Sequence, residues 1–171
     1  TSGDAPKRAM IAGLCHKYSQ VAAGQVVSQT DDYFIELKDG LKRDVPLYAP
    51  FEGSLGMLLM GAAGVIGGEQ NMLPKTFRRY LDLFESGKIT EAAQVYADLK
   101  RFMRYITPWR GAFPRPIKMM MKVFKIPGYT LRGPYQMPAH DELAKFTEGL
   151  VQLRLPEIDE MARAAGMTVP A

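Results

Sequence analysis

The feature that most constrains the fold is a strand, a helix and a second strand that follow one another between residues 45 and 68. Val45–Ala49 is a short apolar segment closed by Pro50, and Gly53–Gly61 is a helix-like segment rich in Leu and Met. Gly64–Gly68 is a second apolar segment that ends in glycines. Strands joined through a helix in this way are parallel neighbours. Because two strands do not form a stable parallel sheet alone, we expect them to pair with another copy or to belong to a longer chain.

Helical periodicity is predicted on both sides of this unit. Upstream, Ala5–Tyr18 is predicted to be a helix and Gln25–Ser28 a brief strand. A second helix is predicted to begin after Thr30, a favourable N-cap residue, and to end near Gly40. Downstream, the apolar spacing predicts the helices Pro74–Glu85, Thr90–Ile106, Pro116–Lys125, Ala139–Leu150 and Pro156–Ala165.

The composition is that of a globular protein and argues against several functions. Of the 171 residues, 47% are hydrophobic and 23% charged, and the longest apolar candidate, Leu55–Ile66, is too short to cross a membrane. The net charge of +4 comes from scattered Lys and Arg, whereas nucleic-acid sites need a basic stripe. The single cysteine, Cys15, reads as a small buried residue and fits a reducing compartment, so a cytoplasmic location is predicted. His16 and His140 are isolated and show no zinc-ligand spacing, so no metal is predicted.

Three segments resemble one protein family when they are taken together and in this order. The first is Thr1–Asp4, which reads Thr-Ser-Gly-Asp, and the second is Gly61–Asn71, an apolar strand with a glycine-rich turn. The third contains Ile117-Lys118, then Ile126–Gly128, then Leu131–Pro134. They are similar, respectively, to the end of the lysine strand (Lys-x-Thr-Ser-Gly-Asp), the last barrel strand and the C-terminal pattern of the dihydrodipicolinate synthase and N-acetylneuraminate lyase family.

The resemblance implies an α/β fold: the C-terminal portion of a (β/α)₈ barrel followed by a C-terminal helical bundle. Residues 1–88 would form the barrel part and residues 89–171 the helical domain. Enzymes of this family form a Schiff base between a lysine and a 2-keto acid, usually pyruvate, and no cofactor is predicted. The resemblance puts this lysine two residues before Thr1 and the catalytic tyrosine further upstream. No catalytic residue is therefore expected within the chain itself.

An insertion is predicted near residues 20–43. If Thr1–Asp4 ends the lysine strand, the next strand ends at Ala49. The chain between Gly3 and Ala49 is longer than one crossover helix and its turns require. The excess is therefore predicted to be an extra helical segment over the site or at a subunit contact.

Five positions are predicted to bind substrate because they follow the carboxyl ends of strands, where barrel enzymes place their sites: Thr1, Glu52, Ile66, Gly67 and Gly68. Glu52 corresponds to an acidic residue that contacts substrate hydroxyls in the sugar-acid lyases of the family, and it is equally well placed as an acid at a helix N-terminus. In relatives, the backbone corresponding to Ile66–Gly68 faces the lysine and the substrate. The apolar Ala49–Phe51 departs from the family and suggests a pocket for an aromatic or less hydroxylated aldehyde.

Lys38 is rejected as an alternative Schiff-base lysine. A barrel lysine on a strand there would need a crossover helix before Val45, and the six residues in between cannot supply one. On a helix that begins after Thr30, Lys38 is an ordinary solvated side chain.

These observations predict a lyase, a class I aldolase as the full-length protein, that cleaves or condenses 2-keto acids of the pyruvate type. A keto-deoxy-sugar-acid dehydratase of the same family is one alternative. A non-catalytic half-barrel or helical interaction module is the other. The predicted partners are a small 2-keto acid and, by analogy with relatives, further copies of the chain in a dimer or tetramer.

Overall fold

The structure, a computed structural model, describes residues 8–26, 30–109 and 114–169. The chain divides into two compact units, Thr1–Gly67 and Gly68–Ala171. The domain boundary after residue 88 stays a prediction. In the second unit, the helix Pro74–Glu85 packs along the helix that follows it, Ile89–Ile106.

The first unit alternates helices and strands. Its elements are α1 (Arg8–Lys17), β1 (Gly24–Gln25), α2 (Asp31–Gly40), β2 (Leu47–Ala49), α3 (Ser54–Leu59) and β3 (Gly64–Val65). The predicted strand–helix–strand unit is confirmed, because β2 and β3 are parallel and α3 connects them. β1 pairs in parallel with the other side of β2, so the order of the sheet is β1-β2-β3.

The segment near residues 20–43, for which an insertion is predicted, contributes to this sheet, and the insertion itself stays a prediction. It contains β1 and α2, and α2 is the crossover that joins β1 to β2. The chain before β2 is long because it holds two helices and a strand instead of one crossover. A strand of two residues is too short to show the alternation by which strands are recognised in a sequence.

Side-chain alternation separates the two faces of the sheet. One face is covered by α2 and contributes to a buried cluster formed by Val26, Tyr33, Phe34, Leu37, Leu47, Ala49 and Met57. Gln25 and Tyr48, which pair in the register, alternate with these buried residues and therefore point to the opposite face. A Cβ at Gly64 would come within 3.3 Å of the Tyr48 ring, so a glycine leaves room for this ring.

Arg43 ties the end of α1 to the segment that leads into β2. Its guanidinium donates to the carbonyl oxygens of Cys15 at 2.9 Å and Tyr18 at 3.2 Å, and also to that of Val21. Cys15 lies in the last turn of α1, whose final carbonyls have no partner within the helix, and Tyr18 and Val21 follow the helix. Cys15 itself is buried, which confirms its predicted role as a small core residue.

The second unit is helical in the residues that the structure describes. Its helices are α4 (Pro74–Glu85), α5 (Ile89–Ile106), α6 (Arg115–Val123), α7 (His140–Gln152) and α8 (Pro156–Ala164), with short 3-10 helices at Gly68–Asn71 and Thr107–Trp109. All five α-helices were predicted, with ends that agree within two residues. Successive packing of α4 on α5, α5 on α7, and α7 on both α6 and α8 builds the unit. The predicted separate helical bundle after residue 88 stays a prediction.

A buried carboxylate on α8 holds the start of α4. Glu157 is 6% exposed and accepts hydrogen bonds from the backbone N–H groups of Lys75 (3.0 Å) and Thr76 (2.7 Å). The Thr76 hydroxyl donates to the same carboxylate at 2.6 Å. The first N–H groups of a helix have no partner within it, and negative charge is favoured at that end. Glu157 thus supplies the cap that the N-cap residue Leu73 cannot.

Replacing this carboxylate is expected to destabilise the protein. Glu157→Ala leaves three donors without their acceptor, so the free energy of unfolding should fall by about 1–3 kcal/mol. Glu160→Ala is the matched control on the same helix, since the Lys75–Glu160 ion pair is exposed and its loss should leave the urea midpoint unchanged. Urea unfolding of the full-length protein, followed by circular dichroism, measures both; equal losses would contradict the capping role.

Tyr105 joins α5 to α7. Its hydroxyl donates to the carbonyl oxygen of Phe146 at 2.6 Å, and the two rings stack with centroids 5.8 Å apart. A Cβ at Gly149 would lie 2.7 Å from the Tyr105 hydroxyl oxygen, so the glycine lets the ring approach α7. Burial raises the pKa of the Tyr105 phenol from 10.0 to about 12.

Tyr105 should therefore make stability depend on pH in alkaline solution. The pKa is higher in the folded state, so the contribution of Tyr105 is complete below pH 10 and is lost as the pH rises towards 12. We expect Tyr105→Phe to show a shallower fall in unfolding free energy across this range in urea titrations. Tyr129→Phe, at a position that is 40% exposed, should retain the wild-type fall. An unchanged pH dependence in Tyr105→Phe would refute the assignment.

Candidate functional site

The carboxyl ends of the three strands meet at one edge of the first unit because the strands are parallel. β2 runs into the turn Pro50–Gly53, β3 runs into Ile66 and Gly67, and Val26 follows β1. The pairing extends past β3, since the Ile66 N–H donates to the Ala49 carbonyl oxygen at 2.9 Å. Side chains and carbonyl groups at these positions that lie on the open face, the sheet face opposite α2, therefore point into the same space.

Gln25 and Ile66 come together in this space across the end of β2. The Gln25 side-chain amide, Nε2, donates to the Ile66 carbonyl oxygen at 3.0 Å, and the contact is exposed to solvent. An amide side chain carries two N–H donors and one oxygen acceptor, so this contact uses only part of its hydrogen-bonding capacity. The half-buried Tyr48 ring lies beside them on the same face.

Gln25 and Tyr48 were not predicted as site residues. The sequence prediction takes Thr1–Asp4 as the end of the strand before β2, so it assigns no site residue to β1. The sheet order shows that β1 precedes and pairs with β2. One feature of the sequence does indicate this strand order. The predicted brief strand at Gln25–Ser28 is separated from the strand that ends at Ala49 by a single crossover of ordinary length.

The predicted site residues are only partly brought together. Ile66 and Gly67 follow β3, and Glu52 is half-buried in the turn after β2, directly before Gly53, the N-cap of α3. Gly68 belongs to the second unit, where it starts a 3-10 helix and its carbonyl oxygen accepts from Asn71 Nδ2 at 3.1 Å. Thr1 lies outside the described residues. Their binding roles stay predictions.

The predicted lysine position, two residues before Thr1, is not supported by the sheet order. That position precedes α1, and β1 then lies between α1 and β2 along the chain. A lysine there would thus precede the strand that neighbours β2 instead of lying on it.

Lys38 lies on α2, as predicted, and faces away from the candidate site. Its ammonium group donates to the Met60 carbonyl oxygen at 2.7 Å. Met60 follows α3 and precedes β3, so this contact lies at the amino ends of the strands. The rejection of Lys38 as a nucleophile agrees with this position.

Phe51 does not line an open pocket. The residue is 1% exposed and Ala49 is fully buried, so both side chains serve packing. The predicted remodelled pocket for an aromatic aldehyde therefore loses the observation on which it rested. An apolar sequence next to a site cannot by itself distinguish a pocket wall from the core beneath it.

Among the described residues, no group of three or more His, Cys, Asp or Glu is arranged to hold a metal ion. In the same part of the chain, no helix is both long and apolar enough to cross a membrane. The polar groups of the candidate site include the Gln25 amide, the Tyr48 hydroxyl, the Glu52 carboxylate and backbone carbonyls.

Truncating Phe51 should show that it is a packing residue. Phe51→Ala leaves a cavity and is expected to lower the free energy of unfolding by about 3–5 kcal/mol. Leu59→Ala is the control, because Leu59 is 60% exposed and its truncation should change stability by less than about 0.5 kcal/mol. Urea unfolding of the full-length protein measures both, and a near-neutral Phe51→Ala would mean that Phe51 is not packed as described.

Comparison with known proteins identifies the family. The family model described as "Dihydrodipicolinate synthetase family" matches residues 8–153. The chain is 30% identical over 110 residues to "Probable 4-hydroxy-2-oxoglutarate aldolase, mitochondrial" of Emericella nidulans, covering 60% of this chain and 34% of that protein. It is 27% identical over 142 residues to a 4-hydroxy-tetrahydrodipicolinate synthase of Methanococcus maripaludis, covering 83% of this chain and 48% of that protein.

Solved structures show the same relationship at the level of the fold. Dihydrodipicolinate synthase from Aquifex aeolicus matches 87% of this chain and 50% of its own length, with a TM-score of 0.74 and 18% identity. The 4-hydroxy-tetrahydrodipicolinate synthase from Methylacidiphilum fumariolicum SolV matches 93% of this chain and 51% of its own length, with a TM-score of 0.72 and 20% identity. The chain thus spans about half the length of these proteins, and its three-stranded parallel sheet is consistent with part of a barrel. Because the family model covers most of its residues, the chain belongs to the dihydrodipicolinate synthetase family.

Proposed function

We propose that the carboxyl ends of β1, β2 and β3 form one wall of a site for a small 2-keto acid in a barrel lyase of this family. The observation that carries the proposal is the meeting of the Gln25 amide and the Ile66 carbonyl group, 3.0 Å apart, on the sheet face opposite α2. Barrel proteins place their sites at this end of the strands. The names of the relatives, an aldolase and a synthase, support the lyase class.

The exposed groups match the chemistry of a 2-keto acid. Its carboxylate and keto oxygens accept hydrogen bonds, and the Gln25 amide supplies donors. The Tyr48 ring offers an apolar surface beside them for a methyl or methylene group. Gly67 has no side chain, so the backbone there leaves space for a ligand. The remaining walls are proposed to come from parts of the protein outside this chain.

Glu52 distinguishes the two enzymatic readings of the site. An aldolase with pyruvate alone in the site, before the aldehyde is added, has no substrate hydroxyl for a carboxylate to bind. A dehydratase of keto-deoxy sugar acids does, and the resemblance assigns that contact to Glu52. Glu52 lies in the turn that precedes α3, outside the helix itself.

The non-catalytic alternative is favoured by one specific observation. None of the residues in β1, β2 and β3, as the structure describes them, is a lysine. A Schiff-base enzyme needs an amine that reaches the keto carbon. The site is consequently proposed first as a binding site, and its covalent chemistry is a separate question.

Pyruvate binding to the full-length protein tests the proposed function. We expect saturable binding by calorimetry or by NMR of ¹³C-labelled pyruvate. Lactate is the matched control, because it has a hydroxyl in place of the keto oxygen and should bind more weakly. A lack of saturable pyruvate binding would overturn the proposal.

Substituting Glu52 tests which substrate class the site takes. Glu52→Gln should leave pyruvate affinity unchanged and weaken a 2-keto-3-deoxy sugar acid about 10–100-fold, since a hydrogen bond to a charged group contributes about 1.5–3 kcal/mol. Glu36→Gln is the control, because Glu36 lies on α2 and pairs there with Arg8. Equal affinities of wild type and Glu52→Gln for both acids would assign Glu52 a structural role beside α3.

A further inference from the structure

The strand order identifies the residue that stands where a Schiff-base lysine is expected. The resemblance puts that lysine on the strand before the one that ends at Ala49, facing the backbone at Ile66. In the structure, β1 is the strand that precedes and pairs with β2. The group that contacts the Ile66 carbonyl oxygen is the Gln25 amide. Both criteria, strand and contact, select Gln25.

The face of the sheet supports the same assignment. Val26, the neighbour of Gln25, is buried in the cluster under α2, so Gln25 points away from the helices. In a barrel, the face away from the helices is the interior, into which a residue must point to reach a ligand. Gln25 is also the last residue of β1, and it therefore lies at the carboxyl end.

A glutamine cannot perform the covalent step that a lysine performs. A lysine amine adds to a ketone and loses water to form an iminium, which withdraws electrons from the adjacent carbon. The amide nitrogen of glutamine shares its lone pair with its own carbonyl group and does not add to a ketone. Lys38, the lysine on α2, contacts Met60 at the amino ends of the strands and is not placed to substitute for it.

We propose that Gln25 occupies the position of the Schiff-base lysine and that the site holds its 2-keto acid by hydrogen bonds alone. This inference rests on the proposed 2-keto-acid site and specifies its chemistry. One N–H of the Gln25 amide donates to Ile66, and the second donates to the keto or carboxylate oxygen of the ligand. The amide is neutral, so binding does not depend on the deprotonation of an amine.

Borohydride trapping of the full-length protein with pyruvate tests the inference directly. An iminium, formed with loss of water, would be reduced to a stable secondary amine and would add the mass of pyruvate minus one water plus two hydrogens. We expect no adduct on the wild-type protein by intact mass, under conditions in which pyruvate binds. A borohydride-dependent adduct on the wild type would overturn the inference and leave the proposed binding site standing.

Restoring the amine should restore the covalent step. Gln25→Lys is expected to give the pyruvate adduct, mapped to the peptide that contains residue 25. A lysine there can still donate to Ile66, as Lys38 donates to the carbonyl oxygen of Met60. Gln20→Lys is the matched control, because Gln20 is exposed before β1 and should give no adduct. A folded Gln25→Lys protein without adduct would show that residue 25 does not face the ligand.

A third variant keeps the inference testable if Gln25→Lys does not fold. Gln25→Leu removes the amide donors and should weaken pyruvate binding about 5–10-fold, as expected for one lost hydrogen bond. Gln20→Leu should bind like the wild type. Unchanged affinity in Gln25→Leu would overturn the role of Gln25. Failure of the wild type to bind pyruvate, with no adduct, would instead count against the proposed function.

Discussion

The parallel pairing of β1, β2 and β3 is the constraint on which the first unit depends. It brings Gln25 beside Tyr48, and Tyr48 beside Gly64, in one row across the sheet. Backbone hydrogen bonds continue this pairing to Ile66. Since all three strands run in the same direction, every residue that follows a strand is delivered to the same edge. The contact between Gln25 and Ile66, 41 residues apart, is a direct consequence.

The two faces of the sheet have different roles: one is packed in the core, and the other carries the candidate site. The face under α2 buries Phe34, Leu37 and the alternate strand residues, and it is the burial of this apolar surface that holds the strands in register. A slip by one residue would move Val26 out of the cluster and Gln25 into it. The position of Gln25 on the open face is therefore fixed by the packing of its neighbour.

In the second unit, polar side chains near helix ends join one helix to another. The Glu157 carboxylate satisfies the first N–H groups of α4 from a helix that is 81 residues away in the chain. Tyr105 reaches a carbonyl group of α7 because Gly149 has no side chain to block the ring. Each contact pairs a buried or half-buried polar group that would otherwise destabilise the packed interior.

Much of this fold could be predicted because its signals are local. The helices of the second unit follow from apolar spacing, Pro at the first turn and glycine near the ends, and Pro74–Glu85 was placed with the correct bounds. The strand–helix–strand unit from β2 to β3 was predicted for the same reason. The lysine strand is predicted from a four-residue likeness at Thr1–Asp4, whereas β1, which pairs with β2, has only two residues in strand conformation. A strand this short is stabilised by its neighbours, and its own side chains show little of the pattern by which strands are predicted.

The sequence by itself determined the family, the succession of helices and strands, and the end of the strands at which a site would lie. Only the tertiary structure decided which residues occupy that site. Phe51 reads as a pocket residue in the sequence and is buried in the structure, while Gln25 reads as an ordinary strand residue and meets the Ile66 carbonyl group. The reason is physical: hydrophobic periodicity reports which residues leave water, but the partner of a polar side chain is set by strand order and register, which are properties of contacts between distant segments.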